Sequence, residues 1–233
     1  MEQKVIITGA TGMVGEGVLH ECLQDPEIIE VLVINRKPGG KQHPKLREYI
    51  HADFLNFSNI PIHFSQYNAC FFCLGVSSVG ISQEEYYKLT YTLTLHVAQT
   101  MANQNPNMIF TYVTGVGTDS SEKGRLGWAQ VKGKTENDLL KLSFQKAYMF
   151  RPGYLEPTPG LKNVKSYYKY FQWLSPVLRL FFANHMSTLR ELGLAILHVT
   201  QHGYPKSVLE VVDIKQAAKA YLAHRNPVPA ASS

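Results

Sequence analysis

Short apolar runs with few interruptions alternate along this chain with longer stretches whose apolar residues recur at helical spacing. Residues 4–8 (KVIIT), 31–35 (VLVIN), 69–74 (ACFFCL), 108–114 and 147–151 read as buried strands, and 47–51 as a weaker extended segment. Helical patterns occupy residues 14–24, 84–103 and 127–142. Strands that alternate with helices form parallel β-α-β units, and right-handed crossovers between them wind a sheet with helices on both faces. Strands covered on both faces are apolar at consecutive positions, as these are. The fold class predicted is α/β, a doubly wound parallel sheet.

The pattern changes past the turn at Pro152-Gly153. Residues 154–163 read as a loop rich in Pro and Gly, aromatic residues crowd 167–182, and Ser175-Pro176 has the form of an N-cap followed by Pro at the first helical position. A helix over 187–200, a short strand over 208–212 and a helix over 213–224 are predicted to follow. One domain over 1–225 is expected, with 154–205 as a small helical cap on the substrate side and 226–233 as a disordered tail. The helix at 84–103 is unusually poor in charge. Its Tyr86, Tyr87, Leu89, Leu93, Leu95 and Val97 suit either a homodimer face or a surface covered by the C-terminal region.

With 233 residues, 45% hydrophobic and 18% charged, the chain is excluded from the disordered, collagen-like and disulfide-stapled classes. A net charge of +5 is modest and suits a phosphate-bearing small ligand. No nucleic-acid partner is expected, because no basic helix with base-stacking aromatics stands out beyond the region 162–179. The start lacks the basic and apolar regions of a secretory signal, so a cytoplasmic protein beginning at or near Met1 is expected. The most apolar late stretch, 170–183, is interrupted by Gln172, Ser175, Pro176 and Arg179, and no transmembrane helix is expected. Cys70 and Cys73 fall on opposite faces of one strand, which points to buried structural roles.

The chemistry begins at Gly9-x-x-Gly12-x-x-Gly15, between the first strand and the first helix. Glycines there allow a tight turn and close approach of a diphosphate, and the free N–H groups of the helix start favour its charge. At the end of the second strand an NAD-binding protein places an acid for the ribose 2′-hydroxyl, whereas this chain has Asn35-Arg36-Lys37. The planar fork of Arg36 suits a 2′-phosphate, so NADP(H) is expected over NAD(H).

Thr8-Gly-Ala-Thr-Gly-Met-Val-Gly15, Asn35-Arg36, Ala52-Asp53-Phe54, Cys73-Leu74-Gly75, Val131-Lys132-Gly133 and Arg151-Pro152-Gly153 together resemble the atypical short-chain dehydrogenase/reductase family, and within it the small NADPH-binding group that includes the Tat-interacting protein. The resemblance implies a Rossmann sheet and a cofactor site. Gly9, Thr11, Gly12, Met13, Val14 and Gly15 would line the diphosphate, and Arg36 and Lys37 the 2′-phosphate. Asp53 and Phe54 would lie beside the adenine, and Cys73, Leu74 and Gly75 along the adenosine ribose. Lys132 would bond the nicotinamide ribose, and Pro152, Gly153 and Leu155 would flank the nicotinamide, with Lys162 near a basic position of the same loop.

The catalytic motif departs from the family. Short-chain reductases use Tyr-x-x-x-Lys, one helical turn apart, so that the lysine lowers the tyrosine pKa. This chain reads Trp128-Ala-Gln-Val-Lys132, and an indole N–H cannot serve as a general acid. Thr114 matches the usual serine, so Thr114 and Lys132 are the catalytic candidates, with Tyr86, Tyr91, Tyr112 and Tyr154 as replacement proton donors. The histidines 198 and 202 have helical metal-ligand spacing, but no Glu follows His198 and His202 is expected past the helix end, so no metal is expected. The reading is an unusual NADP(H)-dependent oxidoreductase acting on a small carbonyl substrate. Its alternatives are a non-enzymatic NADPH-sensing or protein-interaction module, with a protein partner, and a nucleotide-sugar epimerase or dehydratase.

Overall fold

A computed structural model of the chain describes residues 2–57, 60–163 and 186–225. Strands β1 (Gln3–Thr8), β2 (Ile28–Asn35), β3 (Leu46–Ile50), β4 (Ala69–Phe72), β5 (Ile109–Val113), β6 (Lys146–Phe150) and β9 (Val208–Leu209) form one sheet in the order β3-β2-β1-β4-β5-β6-β9. Every neighbouring pair in it is parallel. The order reverses between β1 and β4, and the crevice outside the carboxyl ends of the strands at such a switch point is where ligands bind in open α/β sheets. The Rossmann expectation is met.

Alternate residues of each strand feed two separate cores. Val5, Ile7, Val33 and Phe71 pack with helices α1 (Met13–Gln24), α5 (Leu189–His202) and α6 (Val211–Arg225). Ile6, Ile34, Phe72 and Phe110 pack on the other face with Phe57 and Phe64, with α3 (Leu93–Gln104) and with the end of α4 (Gly127–Leu139). Burying each such side chain contributes roughly 1.5–3 kcal/mol, which is why the strands tolerate almost no polar residue. Cys70 belongs to one core and the half-buried Cys73 packs on the other, and all three cysteines are free.

The helix predicted at 84–103 is continuous from α2 (Gln83–Tyr87), capped by Ser82, through one π-helical turn (Lys88–Thr92) into α3. Tyr86, Thr90, Thr94, Val97, Ala98 and Met101 are buried, and Leu93 and Leu95 pack against the core. Its exposed positions are polar apart from Tyr87, so burial accounts for the scarcity of charge.

The C-terminal third departs from the sequence reading at three points. Tyr154–Glu156 is a short strand, β7, paired in parallel with β8 (Met186–Thr188), where a loop was expected. Helix α5 begins after a capping box, with the Thr188 hydroxyl accepting from the Glu191 N–H and the Glu191 carboxylate accepting from the Thr188 N–H. It packs along α1 as part of the layer covering the sheet. The strand expected at 208–212 ends at Leu209, because Asp213 accepts from the Glu210 N–H and draws Val211 into α6. The helix predicted at Ser175-Pro176 and the tail 226–233 lie outside the described residues.

Candidate active site

Strand β1 delivers the chain to the carboxyl edge of the sheet, where Gly9 adopts φ +74°. A side chain there would sit 2.8 Å from the backbone of Cys73 and Leu74, so only glycine lets the turn lie against the end of β4. A Cβ on Gly15 would lie 2.2 Å from the Gly9 carbonyl oxygen, which fixes the first turn of α1 against the loop. Gly12 is the N-cap and supplies no side-chain oxygen to the first-turn N–H groups. Thr11 to Gly15 therefore form a cradle for an anion, reinforced by the helix dipole. The buried Glu16 accepts the backbone N–H of Lys162 at 2.9 Å and of Asn163 at 2.7 Å, bringing that loop over the start of α1.

A cleft of about 1190 Å³ opens beside this cradle, lined among others by Thr11, Asn35, Arg36, Lys37, Lys41 and Lys162. Arg36, Lys37 and Lys41 are exposed and have no ion-pair partner among the described residues. The cleft also holds a carboxylate brought there by strand pairing. Glu48, on β3, accepts from Asn35 Nδ2 at 2.9 Å and from the Gly39 N–H at 2.8 Å. Glu48 pairs with Val33 and its side chain reaches the Asn35 amide, so an acid from β3 lines the cleft although none stands at the end of β2 in the sequence. Asn35 is buried and its Oδ1 has no hydrogen-bond partner. Asp53 is exposed and closes a turn by accepting from the Leu55 N–H at 2.9 Å. The Phe54 side chain stacks on Phe57 in the core, so only its backbone is available to a ligand. Leu74 packs on the same core, whereas a side chain on Gly75 would meet open space.

The second half of the site lies at the ends of β5 and β6. Lys132 donates to the Thr114 carbonyl at 2.9 Å, and burial lowers its pKa against the raising effect of Glu136. Glu136, one turn further along α4, is fully buried and accepts Arg151 Nε at 3.1 Å on both oxygens, with Arg151 Nη2 on Oε2 as well. Thr114 Oγ1 donates to Glu136 Oε1 at 2.5 Å, with the Phe150 carbonyl 3.2 Å away. Thr114 and Lys132 are thus brought together as expected, but the hydroxyl proton of Thr114 is engaged by Glu136. Sequence reading assigned no role to Glu136 or Arg151; the four-residue spacing of Lys132 and Glu136 was the available signal.

The Trp128 indole packs near Gly117, where an added Cβ would lie 3.2 Å from the ring. The Pro152 carbonyl accepts from the Val116 N–H at 3.0 Å, tying the two loops together, and Leu155 is buried below them. Of the replacement tyrosines, Tyr112 and Tyr86 are buried, and burial pushes both hydroxyls up. Tyr91 donates to Asp138 at 2.8 Å. Tyr154 lies on β7, directly after Pro152-Gly153, and is the candidate nearest the second half of the site in sequence.

The model of the NAD dependent epimerase/dehydratase family matches residues 5–122, half of the chain. The chain belongs to this family. A curated relative, "Protein fmp52, mitochondrial" of Aspergillus clavatus, is 25% identical over 157 residues, covering 64% of this chain and 65% of its own length, just under two thirds. Among solved structures, Gre2 of Candida albicans in complex with NADPH superposes with a TM-score of 0.68 at 13% identity, over 89% of this chain and 78% of that one. WbmG of Bordetella bronchiseptica in complex with NAD gives 0.65 at 13% identity, over 100% and 82%. At such identity these neighbours establish the fold, and one of them holds NADPH and the other NAD.

The cytoplasmic expectation is corrected by the relatives, whose names in Aspergillus, Saccharomyces and Candida all read mitochondrial. Lack of a secretory signal separates secreted chains from the rest and carries no information on organelles. No helix among the described residues is long and apolar enough to cross a membrane.

Proposed function

We propose that the chain binds NADP(H) and is an oxidoreductase of weak or unusual activity, because the family's tyrosine is replaced by Trp128. The carrying observation is the cleft at the end of β2, where three cations without ion-pair partners among the described residues adjoin an uncapped helix N-terminus. The open cradle and the unpartnered buried Asn35 Oδ1 fit a dinucleotide. Thr11 to Gly15 would hold its diphosphate, Arg36 and Lys37 its 2′-phosphate, and Lys132 its second ribose. A bound nicotinamide would supply or accept a hydride at the ends of β5 and β6. There Lys132 has two further N–H donors for hydroxyl groups, and Thr114 offers an acceptor oxygen. The relatives' names extend the proposal to a mitochondrial setting.

Titration calorimetry with NADPH and NADH tests the binding. Arg36 should favour NADPH by about 1.5–3 kcal/mol, tenfold or more, and Arg36→Ala should remove the preference. Equal affinities in the wild type would refute it.

The engagement of the Thr114 hydroxyl by Glu136 and the indole at position 128 favour a second reading, a cofactor-binding module without turnover. Trp128→Tyr distinguishes the two, since general acid catalysis contributes about 10² to 10⁴-fold. A wild type nearly inactive on aldehydes, ketones and quinones, and a variant well above it, would mean that the proton donor is what has been lost. Brisk wild-type turnover would exclude the module.

A further inference from the structure

Three histidines converge at the end of the sheet opposite the dinucleotide cleft. His198 and His202 are one turn apart on α5, and His202 is the last residue of that helix rather than lying beyond it. His224, on the last turn of α6, completes the group. The ring centroids are separated by 5.2, 5.5 and 4.4 Å, and one ring nitrogen from each residue lies within 4.8 Å of the other two. His198 is 7% exposed and its Nδ1 has no hydrogen-bond partner, whereas His202 and His224 are exposed. A buried polar nitrogen is normally satisfied, so an unpartnered one on a ring that packs against two other imidazoles calls for a ligand.

We propose that His198, His202 and His224 bind a late first-row divalent transition metal, with Zn²⁺ the preferred ion. Imidazole is a ligand of choice for zinc and copper, while the oxygen ligands that calcium and magnesium require are lacking in this cluster. A tetrahedral site with Zn–N bonds of ~2.0–2.1 Å has nitrogens about 3.3–3.4 Å apart. From 4.8 Å the nitrogens must close by at most about 1.5 Å to fit Zn–N bonds of that length, and the two exposed histidines can do so by side-chain rotation. Three nitrogens leave one coordination position for water. Helices α5 and α6 both end at the cluster, so the negative ends of two helix dipoles favour a cation there.

The frame around the cluster is rigid. Asp25, fully buried at the C-terminus of α1, accepts Gln201 Nε2 at 2.6 Å and the Tyr221 hydroxyl at 2.9 Å, and pairs with Arg225. These neighbours of His202 and His224 lock the ends of α5 and α6 to α1. Helix α1 starts at the glycine cradle and ends at Asp25, and its twelve residues span roughly 18 Å between the two.

The test uses the untagged full chain, stripped with a chelator and titrated with Zn²⁺ by calorimetry and against a chromogenic zinc indicator. One ion per chain is expected, with a rise in melting temperature and affinity at least about tenfold weaker in His202→Gln and in His224→Gln. Both side chains are exposed, so these variants should fold, and circular dichroism checks that they do. His63→Gln, at another exposed histidine, should bind as the wild type does. Cobalt substitution should give the intense visible absorption of a four- or five-coordinate centre. Absence of binding, equal binding by all variants, or the pale spectrum of six-coordinate cobalt would each overturn the proposal.

Discussion

Arg151→Met should be among the most destabilising single substitutions in this protein. The Glu136 side chain is 1% exposed, and Arg151, at 10%, supplies its guanidinium contacts, so that among the described residues the Thr114 hydroxyl is the hydrogen-bond donor left when it is removed. Breaking a buried pair from one side strands a desolvated charge and costs about 3–5 kcal/mol. For a chain of this length each kcal/mol corresponds to about 2–4 °C, so the melting temperature should fall by roughly 6–20 °C. Removing both charges, as in Arg151→Met with Glu136→Leu, should recover much of that loss, since the pair itself contributes little net stability over apolar packing. Urea unfolding at pH 7, followed by circular dichroism, measures all four corners of the cycle. A loss below about 1 kcal/mol in Arg151→Met, or a double variant no better than the single one, would show that the buried carboxylate is compensated in some other way.

If the chain binds a dinucleotide as proposed, Glu48→Gln should shift its cofactor preference toward NADPH. A carboxylate several ångströms from a phosphate across solvated space costs about 0.5–1 kcal/mol, so the NADPH/NADH affinity ratio should rise about two- to fivefold, and an unchanged ratio in calorimetry would count against its position in the cleft. Asp138 joins α4 to the π-helical turn by accepting from the Tyr91 hydroxyl, and it also pairs with Lys134 and Lys141 of its own segment. Burial pushes its pKa up, but hydrogen bonds from Lys141, Lys134 and Tyr91 outweigh that and hold it at about 2. Because the folded value lies below the ordinary one, the stabilisation is present above about pH 4 and is lost as pH falls through about 2. Asp138→Asn should therefore lower stability by no more than about 1 kcal/mol at pH 7, given the solvent screening of this site, and the gap to wild type should close in acid.

The parallel sheet was legible because its central strands are buried on both faces, and burial leaves a continuous apolar signature in residues such as Val5, Ile6 and Ile7, whereas the half-exposed edge strand β3 shows only a weak one. The glycine loop was legible because its spacing is local. What escaped the sequence depends on contacts between distant segments. Glu48 reaches the cleft only through the pairing of β2 with β3, and Arg151 meets Glu136 only because β6 lies beside β5 and α4. The strand β7 has three residues and a partner more than thirty positions away, too short and too remote for any periodicity to reveal. His224 joins two histidines that sequence reading had set aside, since nothing in the spacing of a single helix announces a ligand from another.

The Glu136 network also bears on why this site would be slow. A hydroxyl has one proton to donate, and Thr114 directs it at 2.5 Å to a carboxylate that is itself needed to neutralise Arg151. Toward a substrate carbonyl Thr114 is then an acceptor, and of the positions that carry the family's catalytic motif the amine of Lys132 and the indole of Trp128 remain as donors. The indole is not an acid near neutral pH, and burial lowers the Lys132 pKa while Glu136 opposes that shift. Replacing Trp128 by Tyr adds a donor without touching the Thr114–Glu136–Arg151 connection, so activity and folding stability should respond separately to it. Substitutions at Glu136 should change both together, because stability and proton supply depend there on the same hydrogen bonds.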